Sequence, residues 1–217
     1  MKHYRSQHAE DILIRNVNKH ASKLITSEYG SLFLGEFIPK YPPTWFLQKK
    51  LNGALVLQLA THEFANYVLR VLVKQHSMAC EDFIECLSNL GQDAIFQVCN
   101  NEYGNFFMQE VMKYNEGQVA ERKLIHHVIR HTSKSMMSEF GSPFLDAFIP
   151  KFPETCPQIT KQILDSKSDM AELANHIYAH HVLVGLIENC LESREQIIRQ
   201  LVLFPNGNVS IKYTKNY

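Results

Sequence analysis

The sequence predicts an all-α fold: a solenoid of about five stacked three-helix repeats, occupying residues 1–217 as one domain. Two observations predict it. First, one phrase keeps returning. Its fullest form is Asn101-Glu102-Tyr103-Gly104-Asn105-Phe106-Phe107-Met108-Gln109, and variants begin at Ser27, His62, Ser138 and His176. The aromatic anchors of the phrase, Tyr29, Phe64, Tyr103, Phe140 and Tyr178, are separated by 35, 39, 37 and 38 residues. A near-constant period of this size marks stacked supersecondary units, none of which can bury its apolar face alone. Second, Tyr29–Thr44 (YGSLFLGEFIPKYPPT) returns as Phe140–Thr155 (FGSPFLDAFIPKFPET), an offset of 111 residues or three periods. Helical packing does not demand that Ile38-Pro39-Lys40 recur as Ile149-Pro150-Lys151, so duplication is the simplest account.

The elements follow in order. Residues 1–17 are mostly polar around Ile12, Leu13, Ile14 and Val17, and read as a helix capping the array. The first repeat spans about 18–53. His20–Ile25 gives a short first helix and Tyr29–Ile38 a second, which stops before Pro39 and Pro42-Pro43, and Trp45-Phe46-Leu47 opens a third. The residue before a proline is driven out of the helical region, so Ile38 marks an end. The second repeat, about 54–90, places Leu55–Ala60, Phe64–Val73 and Cys80–Leu90 on its three helices, with Val68, Leu69, Leu72 and Val73 at helical spacing. The third, about 91–132, uses Ala94–Cys99, Tyr103–Met112 and Leu124–Ile129, with a turn at Asn115-Glu116-Gly117. The fourth, about 133–167, is the second proline-bearing unit, and the fifth covers about 168–203. Residues 204–217 read as a tail or partial repeat.

Within each phrase the anchor reads as core. The small residue after it (Gly30, Ala65, Gly104, Gly141, Ala179) lets a neighbouring helix approach closely. Glu28, Glu63, Glu102 and Glu139 precede four anchors, near the positive end of the following helix.

At this level of detail the repeat resembles the Pumilio (PUF) repeat, whose middle helix begins with the text seen here as Tyr103-Gly104-Asn105-Phe106-Phe107-Met108-Gln109. The spacing agrees over nearly the whole chain, and the motif agrees closely in repeats two and three. The resemblance implies a curved, right-handed α-α superhelix in which each repeat addresses one base of single-stranded RNA. Two side chains meet the base edge and a third stacks on a base. It implies regulation of mRNA translation or stability through 3′ untranslated regions.

Carried over residue by residue, the third repeat offers Asn105 and Gln109 to a base edge and Phe106 for stacking, a combination that in the family favours uracil. Asn105 and Gln109 are four residues apart and share a helix face. The second repeat offers Asn66, Tyr67 and Arg70. Arginine only donates, so Arg70 suits a phosphate or the acceptors of guanine. The fourth offers Ser142 and Asp146, similar to the family's guanine pair but with a shorter acid, and the fifth offers His181 for stacking beside Val184. The first, with Ser31, Leu32 and Gly35, offers nothing to a base.

Composition limits the reading. Twenty-two basic and twenty-two acidic residues cancel, whereas a nucleic-acid binder usually carries a basic excess. Two stacking rings supply about 2–6 kcal/mol, short of the roughly 8 kcal/mol that micromolar binding requires. Lys40, Arg70, Lys74, Lys113 and Lys151 are the cations available to add to it. The alternative is therefore a degenerate helical scaffold that binds a protein partner, or binds nucleic acid without reading bases, as divergent relatives in ribosome maturation do.

Five cysteines without a CxxC pair suit a reducing compartment. With no signal-like N-terminus and no membrane-length apolar run, a cytoplasmic protein is the expectation and a nuclear or nucleolar one the alternative. His127 and His131, like His176 and His180, are four apart, but no acid completes an HExxH pattern, so solvated histidines are expected. No phosphate loop, nucleophile elbow or catalytic carboxylate pair is present. A non-enzyme without cofactor or metal is expected.

Overall fold

Apolar side chains at three- and four-residue spacing fold as helices throughout. The computed structural model describes residues 2–41, 52–91, 93–166 and 168–203. Among them are thirteen α-helices, one 3-10 turn and no strand. They are α1 Lys2–Leu24, α2 Glu28–Phe37, α3 Gly53–Ala60, α4 Ala65–Gln75, α5 Met78–Leu90, α6 Ala94–Cys99, α7 Gly104–Tyr114, α8 Gln118–Ser135, α9 Gly141–Lys151, α10 Cys156–Asp165, α11 Met170–Asn175, α12 Ala179–Asn189 and α13 Leu191–Leu203. The turn Pro153–Thr155 leads into α10. The expected Trp45 helix, Pro42-Pro43 and the 204–217 tail lie outside the described residues.

The chain forms two compact units, Met1–Leu124 and Ile125–Tyr217. In the first, the second helices of three successive repeats, α2, α4 and α7, stack in that order, and α3, α5 and α6 pack behind them. Leu69, Leu72, Phe83, Ile84, Ile95, Phe107 and Met108 are fully buried, and the Phe83 and Phe107 rings meet edge to face at 5.3 Å. In the second unit α9 packs on α12, and α10 and α11 pack on α13. Phe144, Phe148, Ile159, Leu186 and Ile197 form its core. Each such side chain contributes about 1.5–3 kcal/mol when removed from water.

Several boundaries differ from expectation. The N-terminal cap and the first helix of repeat one are a single helix, α1, and α8 runs through the expected boundary after Thr132. Neither segment contains a Gly or Pro to interrupt the hydrogen-bond ladder. The two long helices end at Leu24 and Ser135, again 111 residues apart, so the duplication extends upstream of its most similar text. The second helix of repeat one ends at Phe37, before Pro39. Its counterpart α9 instead carries Pro150 in its last turn and closes one residue later, where the Phe152 N–H donates to the Phe148 carbonyl at 3.0 Å. At the end of α5, Gly91 has φ +152°, a conformation open essentially to glycine alone.

The anchors are not core. Tyr29 is 79% exposed, and Phe64, Tyr103, Phe140 and Tyr178 are half-buried. The last four are the N-cap residues of their helices, where the side chain leaves the packed face. The next residue makes the tight contact instead: Gly30, Ala65, Gly104, Gly141 and Ala179 are all buried. A methyl group on Gly104 would collide with the Val98 carbonyl oxygen, and one on Gly30 with that of Leu24.

Candidate nucleic-acid interface

Four of the five second helices are launched by the same device; in the first repeat the Ser27 hydroxyl instead donates to the Leu24 carbonyl at 3.2 Å. Two residues before the anchor stand Ser27, His62, Asn101, Ser138 and His176. Asn101 Oδ1 accepts the N–H groups of Tyr103 and Gly104, both at 2.9 Å. His62 Nδ1 accepts those of Phe64 and Ala65 at 3.1 and 3.5 Å, and His176 Nδ1 those of Tyr178 and Ala179 at 3.2 and 3.3 Å. Ser138 Oγ accepts the Gly141 N–H at 3.2 Å. Helix N-termini leave unpaired donors, and these side chains satisfy them. The expectation of a solvated His176 is thereby corrected: the ring caps α12. Among the described residues, no three His, Cys, Asp or Glu side chains converge to hold a metal.

Two residues past the anchor, a side chain bonds a backbone carbonyl where a second helix begins, its own in four repeats and that of the next repeat at Ser142. Asn105 is only 2% exposed; its Nδ2 donates to the Asn101 and Glu102 carbonyls at 3.0 and 2.9 Å. Asn66 does the same to His62 and Glu63 at 2.9 and 2.8 Å. Ser31 donates to Glu28, His180 to His176, and Ser142 to Tyr178, each to a carbonyl within 2.7–2.8 Å. This register holds the second helix to its loop, and in Ser142 it joins the fourth repeat to the fifth.

Three residues past the anchor the side chain faces solvent: Leu32, Tyr67, Phe106, Pro143 and His181. Phe106 is 51% exposed and Tyr67 37%. Beside Phe106, Gln109 is half-buried and its Nε2 donates to Asn105 Oδ1 at 3.2 Å. That bond uses one N–H of the carboxamide and leaves the other N–H and the Oε1 acceptor available, a donor beside an acceptor.

In three repeats the residue six past the anchor faces the ring three past the next anchor. The Tyr67 ring lies over Gly35, so that a methyl there would collide with it. The Arg70 guanidinium lies over the Phe106 ring, 5.8 Å from its centroid. In the second unit Asp146 faces His181 and His180. Burial of its carboxylate raises the Asp146 pKa; the two histidines draw it down by less, and Glu188 adds a small push upward. More than a third of Asp146 is open to water, and its Oδ1 would lie 3.7 Å from a methyl on Gly185.

The expected cations differ in their surroundings. Lys113 lies over the Tyr114 ring and Lys151 over the Phe152 ring, at 5.2 and 5.8 Å, and Lys40 is exposed. Arg70 and Lys74 converge, but on a carboxylate absent from the expected site: Glu110 Oε1 lies 3.7 Å from Arg70 Nη2 and 3.3 Å from Lys74 Nζ. Its only sequence signal is position, one residue past Gln109 on the helix that stacks against Arg70.

No protein-family model and no curated protein matches this chain. Solved structures do. PUF-8 in complex with PBE-RNA superposes with a TM-score of 0.75 at 15% identity, over 93% of this chain and 59% of that one. The Puf3 RNA-binding domain bound to a Cox17 RNA 3′ UTR site gives 0.73 at 17% identity, over 88% and 55%. The RNA-binding domain of yeast Puf5p bound to MFA2 RNA gives 0.70 at 21%, over 85% and 52%. The fold is that of the PUF RNA-binding domains. The chain spans a little over half the length of those three.

Set on the PUF fold, the expected contact residues separate into two classes. Phe106, Tyr67, Gln109, Arg70, Asp146 and His181 keep at least part of their side chains open to water, whereas Asn105, Asn66 and Ser142 are buried and bonded to backbone.

Proposed function

We propose that the chain binds single-stranded RNA on its second helices, with the third repeat as principal base reader, and acts in post-transcriptional control of mRNA translation or stability. The observation that carries this reading is the pair on α7: an exposed Phe106 ring beside a Gln109 carboxamide held by Asn105. Uracil presents a donor between two acceptors, which the remaining N–H and Oε1 of Gln109 complement, and Phe106 supplies the stacking surface. Asn105 acts here by orienting Gln109, since its own nitrogen is bonded to the loop. The RNA carried by the PUF-8, Puf3 and Puf5p domains of the same fold supports the reading. A cytoplasmic site of action belongs with it.

The test is fluorescence anisotropy of a short U-rich RNA. Phe106→Ala removes about 1–3 kcal/mol of stacking, a loss of roughly 5- to 150-fold. Gln109→Ala should abolish the preference for uridine over adenosine with the fold intact. Binding indifferent to both changes would reject the third repeat as a reader. One observation favours a protein partner instead: Glu110 neutralises the adjacent cations of this face. Absence of RNA binding by the intact chain would select that reading.

A further inference from the structure

Glu110 is 15% exposed and holds two cations with one oxygen, Oε1. Its other oxygen, Oε2, is buried without a hydrogen-bond partner, and so is Arg70 Nε. A buried ion pair repays the desolvation of its charges only when its geometry is good and its remaining lone pairs and protons are satisfied. Here they are not, and the Arg70 contact is long, at 3.7 Å. Arg70 and Lys74 are four apart on α4 and share one face, and the Arg70 guanidinium covers the ring that the proposed RNA site needs for stacking.

We infer that Arg70 and Lys74 form a phosphate-binding subsite for single-stranded RNA, held closed by Glu110. The inference rests on the RNA-binding reading above. In the free protein the carboxylate neutralises both cations and draws Arg70 across Phe106. When a strand arrives, its phosphodiester replaces Glu110 as partner of Arg70 and Lys74, Arg70 leaves the ring face, and a base occupies it. Arginine meets phosphate with paired N–H donors, and Lys74 adds a point charge. Glu110 thus sets affinity from the protein side: it lowers attraction for any strand that cannot both displace the pairing and stack on Phe106.

The test compares wild type, Glu110→Gln, Arg70→Gln/Lys74→Gln and the combined triple variant, using anisotropy of U-rich RNA over a range of salt, with urea unfolding as a check on each fold. Glu110→Gln should tighten binding by about fivefold per freed cation at 0.1 M salt, the factor given by a slope of about 0.7 per single-strand phosphate contact. The plot of log K against log salt should steepen by up to about 1.4 for two contacts. In the Arg70→Gln/Lys74→Gln background, Glu110→Gln should change nothing. Unchanged affinity and slope in Glu110→Gln, with binding still sensitive to Phe106→Ala, overturns the subsite and leaves base reading standing. A gain that persists without Arg70 and Lys74 also overturns it, as a general charge effect. Absence of binding by both wild type and Glu110→Gln overturns the subsite and the RNA reading together.

Discussion

Asn101 shows how a single side chain sets this fold. It satisfies two backbone donors at the start of α7, where a short apolar side chain would satisfy none. Asn101→Ala should therefore lower unfolding stability by about 1 kcal/mol, within the 0.5–2 kcal/mol span of helix caps. Asn101→His should recover much of the loss, because His62 and His176 do the same work at the same register. Urea midpoints for the three proteins decide it; equal losses in Ala and His would show that the register tolerates no exchange of cap. Asp146 bears on pH. Its folded pKa lies above the ordinary aspartate value of 3.8, so its ionisation disfavours the folded state at neutral pH, and that cost is relieved as pH falls through the folded pKa. Asp146→Asn should be the more stable protein at pH 7, and its advantage should shrink as pH is lowered towards 3.8. Paired urea titrations across that range measure the difference, and an advantage that grows on acidification would reverse the assignment.

Among elements, close helix approach is what the repeated small residue makes possible, and the glycines separate by what lies above them. A methyl on Gly104 meets the Val98 backbone, which yields only if α7 moves from α6. Gly104→Ala should cost about 1–3 kcal/mol, the range for overpacking. A methyl on Gly35 meets only the end of the Tyr67 ring, which can swing outward, while alanine improves helix propensity by about 1 kcal/mol. Gly35→Ala should change stability little and expose Tyr67 further, visible as altered tyrosine quenching. The small residues were readable in the sequence because they cannot vary without moving a helix. The anchors read as core in the sequence because periodic aromatic text also marks the start of a helix, where the ring is half-buried or exposed. The caps were present in the quoted phrase, but Ser, His and Asn share no chemistry by name, only an acceptor at one place. Glu110 carries no signal beyond its place after Gln109: it lies 40 residues from Arg70, and only the stacking of α4 on α7 brings the two together.

For the whole molecule, the balance of charge bears on how the proposed RNA site would be reached. The 22 basic and 22 acidic residues give no net field to draw a polyanion from a distance. Among the cations considered for the site, only Arg70 and Lys74 converge, and they are paired with Glu110, whereas Lys113 and Lys151 lie over rings on their own segments. On the proposed reading, affinity for RNA comes chiefly from stacking and base-edge contacts, which salt screens little, rather than from released counterions. Each single-strand phosphate contact contributes about 0.7 to the slope of log K against log salt, so a wild-type slope no steeper than about −2 is expected, for at most three contacts. Discrimination among bases should correspondingly hold as salt rises, because the term being screened carries no sequence information. Anisotropy of uridine and adenosine oligonucleotides between about 0.05 and 0.3 M salt measures both quantities at once. A slope steeper than about −4, with the preference for uridine fading as salt rises, would mean that the strand is held by a basic surface and not by the second helices.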